Sequence, residues 1–336
     1  MGILFNEYHP KERFFMFENT IAADVGSANT RLATAARSLF EETRAALDPD
    51  DRRCVLAVGS ASRRLLNAQA AYPVRGGVAD ITLAAIVLRR LALDLTRRKT
   101  LAGMGLCLAV PADGEPIKRQ ALIETAREAG FRRVRLVNAL LAGAEGAGVD
   151  AGAPKASLVV DIGRETMGML VCANGGAVAE RTVSVGSHAV DKRIMAWFAE
   201  EHGALIASRT AEGLKKRLAS PVLRVSVRSS QTGVPVFREV SSSALMEAAA
   251  PVVRRMAAEI VFLIESIPPE CAADLLDSGA VLIGGGAKQP GLAESLEKLL
   301  GIRVTPAPNA DTAVITGLQS LLRKSSAVSP EALLAV

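Results

Sequence analysis

Three glycine-bearing turns, each closing an apolar run, hold the residues of this chain that could do chemistry. They read IAADVGSANT from Ile21 to Thr30, LVVDIGRETMG from Leu158 to Gly168, and VLIGGGA from Val281 to Ala287. Glycine at such a turn lets backbone N–H groups approach phosphate oxygens without a Cβ in the way. The first two turns also carry an aspartate just before the glycine, Asp24 and Asp161. Two carboxylates from distant parts of one chain suit a cleft that holds Mg2+ and a nucleotide. Aspartates so placed also cap tight turns through Asx hydrogen bonds, so no single turn is specific. Their order and spacing carry the signal.

The segments that must position these turns alternate between strand and helix patterns, which predicts α/β architecture. Strands are expected at Thr20–Val25, Cys54–Val58, Gly105–Val110, Val134–Val137 and Ala280–Ile283. Helical spacing of Ile81, Ala84, Ala85, Leu88, Leu91, Ala92 and Leu95 predicts a helix over Asp80–Arg98, with Asp80 or Thr82 as its cap. Further helices are read over Ala61–Asn67, Glu115–Ala129, Ala139–Gly146, Val190–His202 and Ala310–Leu322. Thr210–Leu218 is another, capped by Ser208 or Thr210, and a long helix starts at Ser241 or Ser242 and runs to Ile267. Leu158–Ile162, Gly168–Ala173 and Val178–Val185 form a meander with Asn174-Gly175 as a hairpin turn. A worn copy of that meander over Ile21–Val58 hints at internal duplication.

A chain of 336 residues with 49% hydrophobic and 22% charged residues can bury a large core, with a length prior of two domains. A net charge of +5 is no signature of nucleic-acid binding. Cys54, Cys107, Cys172 and Cys271 show no CxxC pairing, and three of them lie in apolar strand-like or helical stretches, which reads as buried free thiols in a reducing cytoplasm. His9, His188 and His202 are too scattered for a metal site. No run approaches the length of a spanning helix. The cluster Phe14, Phe15 and Phe17, with Phe5 upstream, reads either as a buried lead-in to the first strand or as an apolar segment touching a membrane beside Lys11 and Arg13.

The order of motifs resembles the bacterial actin-like cell-shape proteins of the MreB/Mbl type, within the actin, Hsp70 and sugar-kinase superfamily. The likeness is carried by DVGSANT, VLAVGSAS, the GGVAD stretch, LAVP at Leu108, LVVDIG, VSVGSHAVD, SRTAEGLK, PPECAADLLDSGAVLIGGGA and TAVITG, over residues 20–322. It implies a two-lobed actin-like (ribonuclease H-like) α/β fold, each lobe a mixed sheet flanked by helices, with four subdomains around a nucleotide cleft. By position these are IA (1–33, 75–152 and 321–336), IB (34–74), IIA (153–188 and 248–320) and IIB (189–247). The resemblance implies ATP or ADP with Mg2+ held by Asp24 and Asp161. Asp24, Gly26, Ser27, Ala28 and Asn29 would line the first phosphate loop. Asp161, Gly163, Arg164 and Thr166 would line the second, with Gly186 and Ser187 near the nucleotide. Glu212 and Lys215 would contact ribose and adenine, and Gly284, Gly285, Gly286 and Ala287 the adenine side. For Glu212 and Lys215 the plain alternative is a solvent-exposed helical ion pair.

Three departures from the family pattern stand out. Where relatives carry DIGGGT, this chain has Asp161-Ile162-Gly163-Arg164-Glu165-Thr166. If that loop requires positive φ, Arg164 and Glu165 are strained; if not, Arg164 can fork onto a phosphate or neutralise Glu165. The family's water-activating glutamate falls at Asn138, and an amide orients water but cannot take its proton. Met167-Gly168 replaces a polar pair. The expected function is a cytoplasmic filament subunit or scaffold in cell shape, with weak or lost ATP hydrolysis. It would self-associate, co-polymerise with a paralogue, or touch the inner membrane peripherally through Leu101 and Met104 beside Arg97, Arg98 and Lys99. The competing reading is a non-polymerising actin-fold adaptor that binds a membrane partner.

Overall fold

The computed structural model of the protein describes residues 19–111 and 115–323, together with the backbone of Leu333–Leu334. The phenylalanine-rich N-terminal segment lies outside the described residues. The chain forms two units, residues 1–146 with 314–336, and residues 147–313. The boundaries implied by the resemblance lie after residues 152 and 320.

The first unit opens on an antiparallel meander, β1 (Thr20–Val25), β2 (Asn29–Ala33) and β3 (Ser38–Glu42). β4 (Ala45–Leu47), β5 (Val55–Val58) and β6 (Gln69–Ala71) make a separate three-stranded sheet. Helix α1 (Ile81–Thr96) leads to β7 (Gly105–Val110), and α2 (Pro116–Glu128) leads to β8 (Arg133–Asn138) and α3 (Ala139–Gly146). The main sheet runs Leu333–Leu334, β8, β7, β1, β2, β3, with β1, β7 and β8 parallel. β7 is buried at all six positions, as a central parallel strand between helical layers must be. The apolar stripe of α1 packs on this sheet through Leu88, Leu91 and Leu95. Asp80 caps α1 by accepting from Leu83 N at 2.9 Å, and Arg97 ends it in the left-handed region at φ 54°.

The second unit repeats the plan. β9 (Ser157–Ile162), β10 (Met167–Ala173) and β11 (Gly176–Val183) form the meander, with Asn174 and Gly175 at φ 52° and 87° in the turn. Then follow α4 (Ser187–His202), β12 (Ala204–Leu205), α5 (Ser208–Lys216), β13 (Val222–Ser229), β14 (Pro235–Ser241), α6 (Ser242–Glu265), α7 (Pro269–Ser278), β15 (Ala280–Ile283), α8 (Leu292–Leu300) and β16 (Val304–Pro306). The five-stranded sheet is ordered β11, β10, β9, β15, β16. That is the order and sense of β3, β2, β1, β7, β8, so the duplication faintly legible in the sequence is plain in the topology.

Two local expectations fail. The segment expected to be helical over Ala61–Asn67 is a 3-10 turn at Gly59–Arg64, too short to pack an apolar stripe. Helix α5 starts at Ser208 after Ala207, with no side-chain cap, so neither Ser208 nor Thr210 performs that role.

The cysteines also divide. Cys107 and Cys172 are buried in β7 and β10, Cys271 is half-buried and Cys54 is exposed, so burial as expected holds fully for two of the thiols. Burial pushes the Cys107 thiol up to about 12, against a smaller opposing pull from Arg135, and the Cys172 thiol up to about 11. In native protein a disulfide thiol reagent such as DTNB should therefore reach Cys54 first and Cys271 more slowly. Cys107 and Cys172 should react only on denaturation. Four thiols reacting at one rate in the native state would contradict the packing of both strands.

Candidate functional site

In the first unit, the register of β1 and β2 pairs Val25 with Thr30 and leaves Gly26–Asn29 as the loop between them. Gly26 N donates to Asn29 O at 3.0 Å. Thr43 holds the loop from β3's end. Its hydroxyl donates to Gly26 O at 2.6 Å and its amide to Ala28 O at 3.0 Å, while Thr30 Oγ1 lies 2.8 Å from Thr43 Oγ1. Ser27 Oγ accepts from Gly76 N at 2.8 Å, which leaves its O–H to donate elsewhere. Asp24 through Asn29 are half-buried.

The same register sets Arg31 directly opposite Asp24. Arg31 Nη1 donates to Asp24 Oδ2 at 2.9 Å, with the two side chains only 11% and 21% exposed. The guanidinium lies 4.8 Å from the ring centroid of Phe40, its neighbour on β3. Sequence reading missed Arg31. The available signal was its position across the hairpin from Asp24, seven residues on, which places both side chains on one sheet face.

In the second unit, Gly163 N donates to Thr166 O at 2.9 Å and closes the turn between β9 and β10. Among the described residues, non-glycine positive φ occurs at Asn19, Arg97 and Asn174 and not at Arg164 or Glu165. The two replacements of family glycines are therefore unstrained. The turn is tied to the start of α4, where Ser187 N donates to Gly163 O and His188 N to Arg164 O, both at 2.9 Å. Two of the orphan amides at that helix end are thus satisfied by the loop. A Cβ on Gly186 would overlap Arg164 O, so this junction requires glycine.

Arg164 is half-buried among charges. Its guanidinium lies 3.6 Å from Glu165 Oε1, 3.8 Å from Glu212 Oε2 and 3.5 Å from His188 Nδ1. These are loose contacts, so the group is poised near two carboxylates rather than locked onto one. Burial pushes the Glu212 carboxyl up, but Lys216 at 2.6 Å, with Arg164 and Lys215, outweighs it and holds it below the usual range. Lys215 is buried, with Nζ 2.7 Å from Asp191 Oδ1 and donating to Ser187 O at 2.9 Å. Burial lowers its pKa and Asp191 opposes that shift. Glu212 and Lys215 are thus no simple exposed pair: Glu212 meets Lys216 and Arg164, while Lys215 braces α5 against α4. Asp191 and His188, whose Nδ1 lies 3.3 Å from Asp191 Oδ2, were not singled out from sequence for this role.

The third turn packs on the second. Gly284, at φ 83°, has its would-be Cβ overlapping Asp161 Oδ1, and a Cβ on Gly286 would overlap the Ile162 side chain. Gly284 N donates to Ala310 O at 2.7 Å, and Ala287 is buried. Gly285 is exposed with open space around it, so it is the member of the three with room for a ligand.

Three sequence expectations change here. Asn138 is 3% exposed, and its Oδ1 accepts from Leu140 N at 2.9 Å and Leu141 N at 3.2 Å, which makes it the cap of α3. Its amide oxygen is committed to backbone rather than to a catalytic water. Leu101 and Met104 are 2% and 4% exposed in the first unit's core, so they do not present an apolar tip to lipid. The adjoining Arg97, Arg98 and Lys99 are exposed. Finally, the two carboxylates expected to hold Mg2+ are not free of protein contacts. Asp24 Oδ2 accepts from Arg31, and the backbone at Gly284 lies close to Asp161 Oδ1.

The family model described as MreB/Mbl protein matches residues 18–330. The chain is 29% identical over 321 residues to the cell shape-determining protein MreB of Escherichia coli (strain K12), covering 90% of this chain and 92% of that protein. It is also 29% identical over 322 residues to the cell shape-determining protein Mbl of Bacillus subtilis (strain 168), covering 91% and 96%. Its fold is similar to that of MreB5 of Spiroplasma citri bound to AMPPNP, with a TM-score of 0.84 and 22% identity over 91% of this chain and 96% of that one. A subunit of the MamK double helical filament aligns with a TM-score of 0.74 and 18% identity over 93% and 100%. A profile match across nearly the whole chain, two units of one actin-like topology and three turns in the family's order agree: the chain belongs to the MreB/Mbl family.

Proposed function

We propose that this chain is an actin-like cytoskeletal subunit that self-associates into filaments serving cell shape, binds ATP or ADP, and hydrolyses ATP weakly or not at all. The curated relatives are named for cell shape, and the similar structures are described as bound to AMPPNP, bound to ADP, or as a double helical filament. The observation that carries the hydrolytic half is Asn138. An oxygen that caps α3 has no lone pair placed to receive a water's proton, and an amide has no useful basicity in any case. Glu145, on the same helix, accepts from Ser320 Oγ at 3.0 Å and does not replace it.

In this reading the amides of Ala28 and Asn29 and the Ser27 hydroxyl handle phosphate in the first unit, on the turn that Gly26 closes. Gly163, Arg164, Thr166, Gly186 and Ser187 do so in the second, where Asp161 shapes the turn. Glu212 meets the ribose, Lys215 orders the helix that presents it, and Gly284–Ala287 face the base, with Gly285 supplying the space. The four-subdomain division belongs to the same reading, the two small three-stranded sheets marking the smaller subdomains. So do co-polymerisation with an intact relative and a peripheral contact with the inner face of the membrane, made by Arg97, Arg98 and Lys99 through anionic headgroups. None of the described helices is long and apolar enough to cross a membrane.

High-speed pelleting with Mg-ATP, with Mg-ADP and without nucleotide tests assembly. Sedimentation of the purified chain is expected, with little phosphate release; protein that stays soluble in all three conditions, lipid included, would favour the adaptor. Arg164→Ala should weaken binding of a fluorescent ATP analogue by about tenfold, the order of one lost charge-assisted contact. Unchanged affinity would restrict Arg164 to balancing Glu165 and Glu212. Asn138→Ala should lower unfolding free energy in urea by about 1–2 kcal/mol through loss of the cap. No change would remove Asn138 from that role.

A further inference from the structure

We propose that Arg31 is a resident cation for Asp24, so that the first turn takes a nucleotide phosphate without a divalent metal. The inference rests on the nucleotide reading above and concerns the charge that the phosphate meets. In a nucleotide site built on bare carboxylates, a hydrated Mg2+ bridges the acidic side chain and the phosphate oxygens, and without it the two anions repel. Here the charge on Asp24 is already matched by protein. Register alone places Arg31 across from it, and the 2.9 Å contact is between side chains largely withdrawn from water. Withdrawal from solvent and Phe40 against the guanidinium both hold the pair in one geometry. Arg31 Nε is buried with no acceptor, so Asp24 is the anion that offsets this buried charge. A metal that entered would meet a carboxylate whose charge is already offset by the guanidinium on Oδ2. The remaining donors at this turn, the Ser27 hydroxyl and the loop amides, are neutral and approach phosphate without the help of a metal.

Two measurements on the full chain decide it. In the first, a fluorescent ADP analogue is titrated by anisotropy in Mg2+ and in EDTA. Wild type should bind equally, within about twofold, in both. Arg31→Leu should bind at least about tenfold more weakly in EDTA than in Mg2+, and Arg31→Lys should restore the wild-type pattern. Wild-type affinity that falls tenfold in EDTA overturns the proposal, and this comparison needs no variant to fold. In the second, Mn2+ is titrated into nucleotide-free protein and free Mn2+ is read by EPR. Wild type should leave the free signal intact, whereas Arg31→Leu should deplete it with one site that Asp24→Asn in the same background removes. Mn2+ depletion by wild type that Asp24→Asn abolishes overturns the proposal, as does no depletion by folded Arg31→Leu. If the ADP analogue binds under neither condition, the nucleotide reading fails, and the Mn2+ titration still decides whether Arg31 keeps metal from Asp24.

Discussion

The second unit depends on backbone packed against backbone at the end of β9. Gly186 presses on the carbonyls of the Gly163–Thr166 turn, Gly284 on Asp161 and Ile162, and Gly286 on Ile162. At each, a single methyl group would overlap an atom that cannot move without shifting the strand, a perturbation of about 1–3 kcal/mol by the usual cost of overpacking. These contacts also fix the start of α4, because the amides of Ser187 and His188 find their acceptors in the same turn. The meander, the helix and the glycine-rich turn after β15 are therefore one rigid corner, and the charged side chains nearby inherit its geometry.

On that corner, charge is arranged in layers. The buried pair Lys215 with Asp191 sits deepest, with Lys215 also bonded to the Ser187 carbonyl. Such a pair costs desolvation and contributes positional order more than net stability, while loss of one partner would strand the other in low dielectric. Above it, Arg164 hovers at 3.5–3.8 Å from His188, Glu165 and Glu212. Contacts of that length in a half-exposed site are weak, so Arg164 can reorient toward an incoming anion at small cost. The deep pair supplies the rigidity and the shallow cluster the response.

Much of the fold was legible in the sequence because it rests on local rules. β7 and α3 fall where an apolar run ended by Pro111 and a short alanine-rich helix placed them. Asp80 caps α1 as its position before the periodic stretch implied. The failures among the site residues share one cause, which is that burial and register are tertiary properties. Leu101 and Met104 look like an apolar tip beside basic residues, but the chain turns them into the core and leaves only the basic shoulder outside. Arg31 looks like an ordinary strand residue until the hairpin register sets it against Asp24. Glu212 and Lys215 share a helix and suggest a pair, yet α4 captures Lys215 and leaves Glu212 to Lys216.

The glycines that this chain lacks and those it keeps follow one physical rule. Arg164 and Glu165 stand where the family pattern has glycine, at positions with neither positive φ nor a crowded Cβ, so the fold does not resist them. Gly186, Gly284 and Gly286 stand where a Cβ would meet main chain or a strand side chain, and they remain. At this corner the replaced glycines lie where a side chain is tolerated, while the glycines that set its shape are present. A turn of neutral amides has become one bearing a fixed positive and a fixed negative group, with no cost in backbone strain. In the first unit Arg31 likewise sets a fixed positive group against an aspartate beside the turn. Both turns thus carry a guanidinium and a carboxylate that are fixed to the chain.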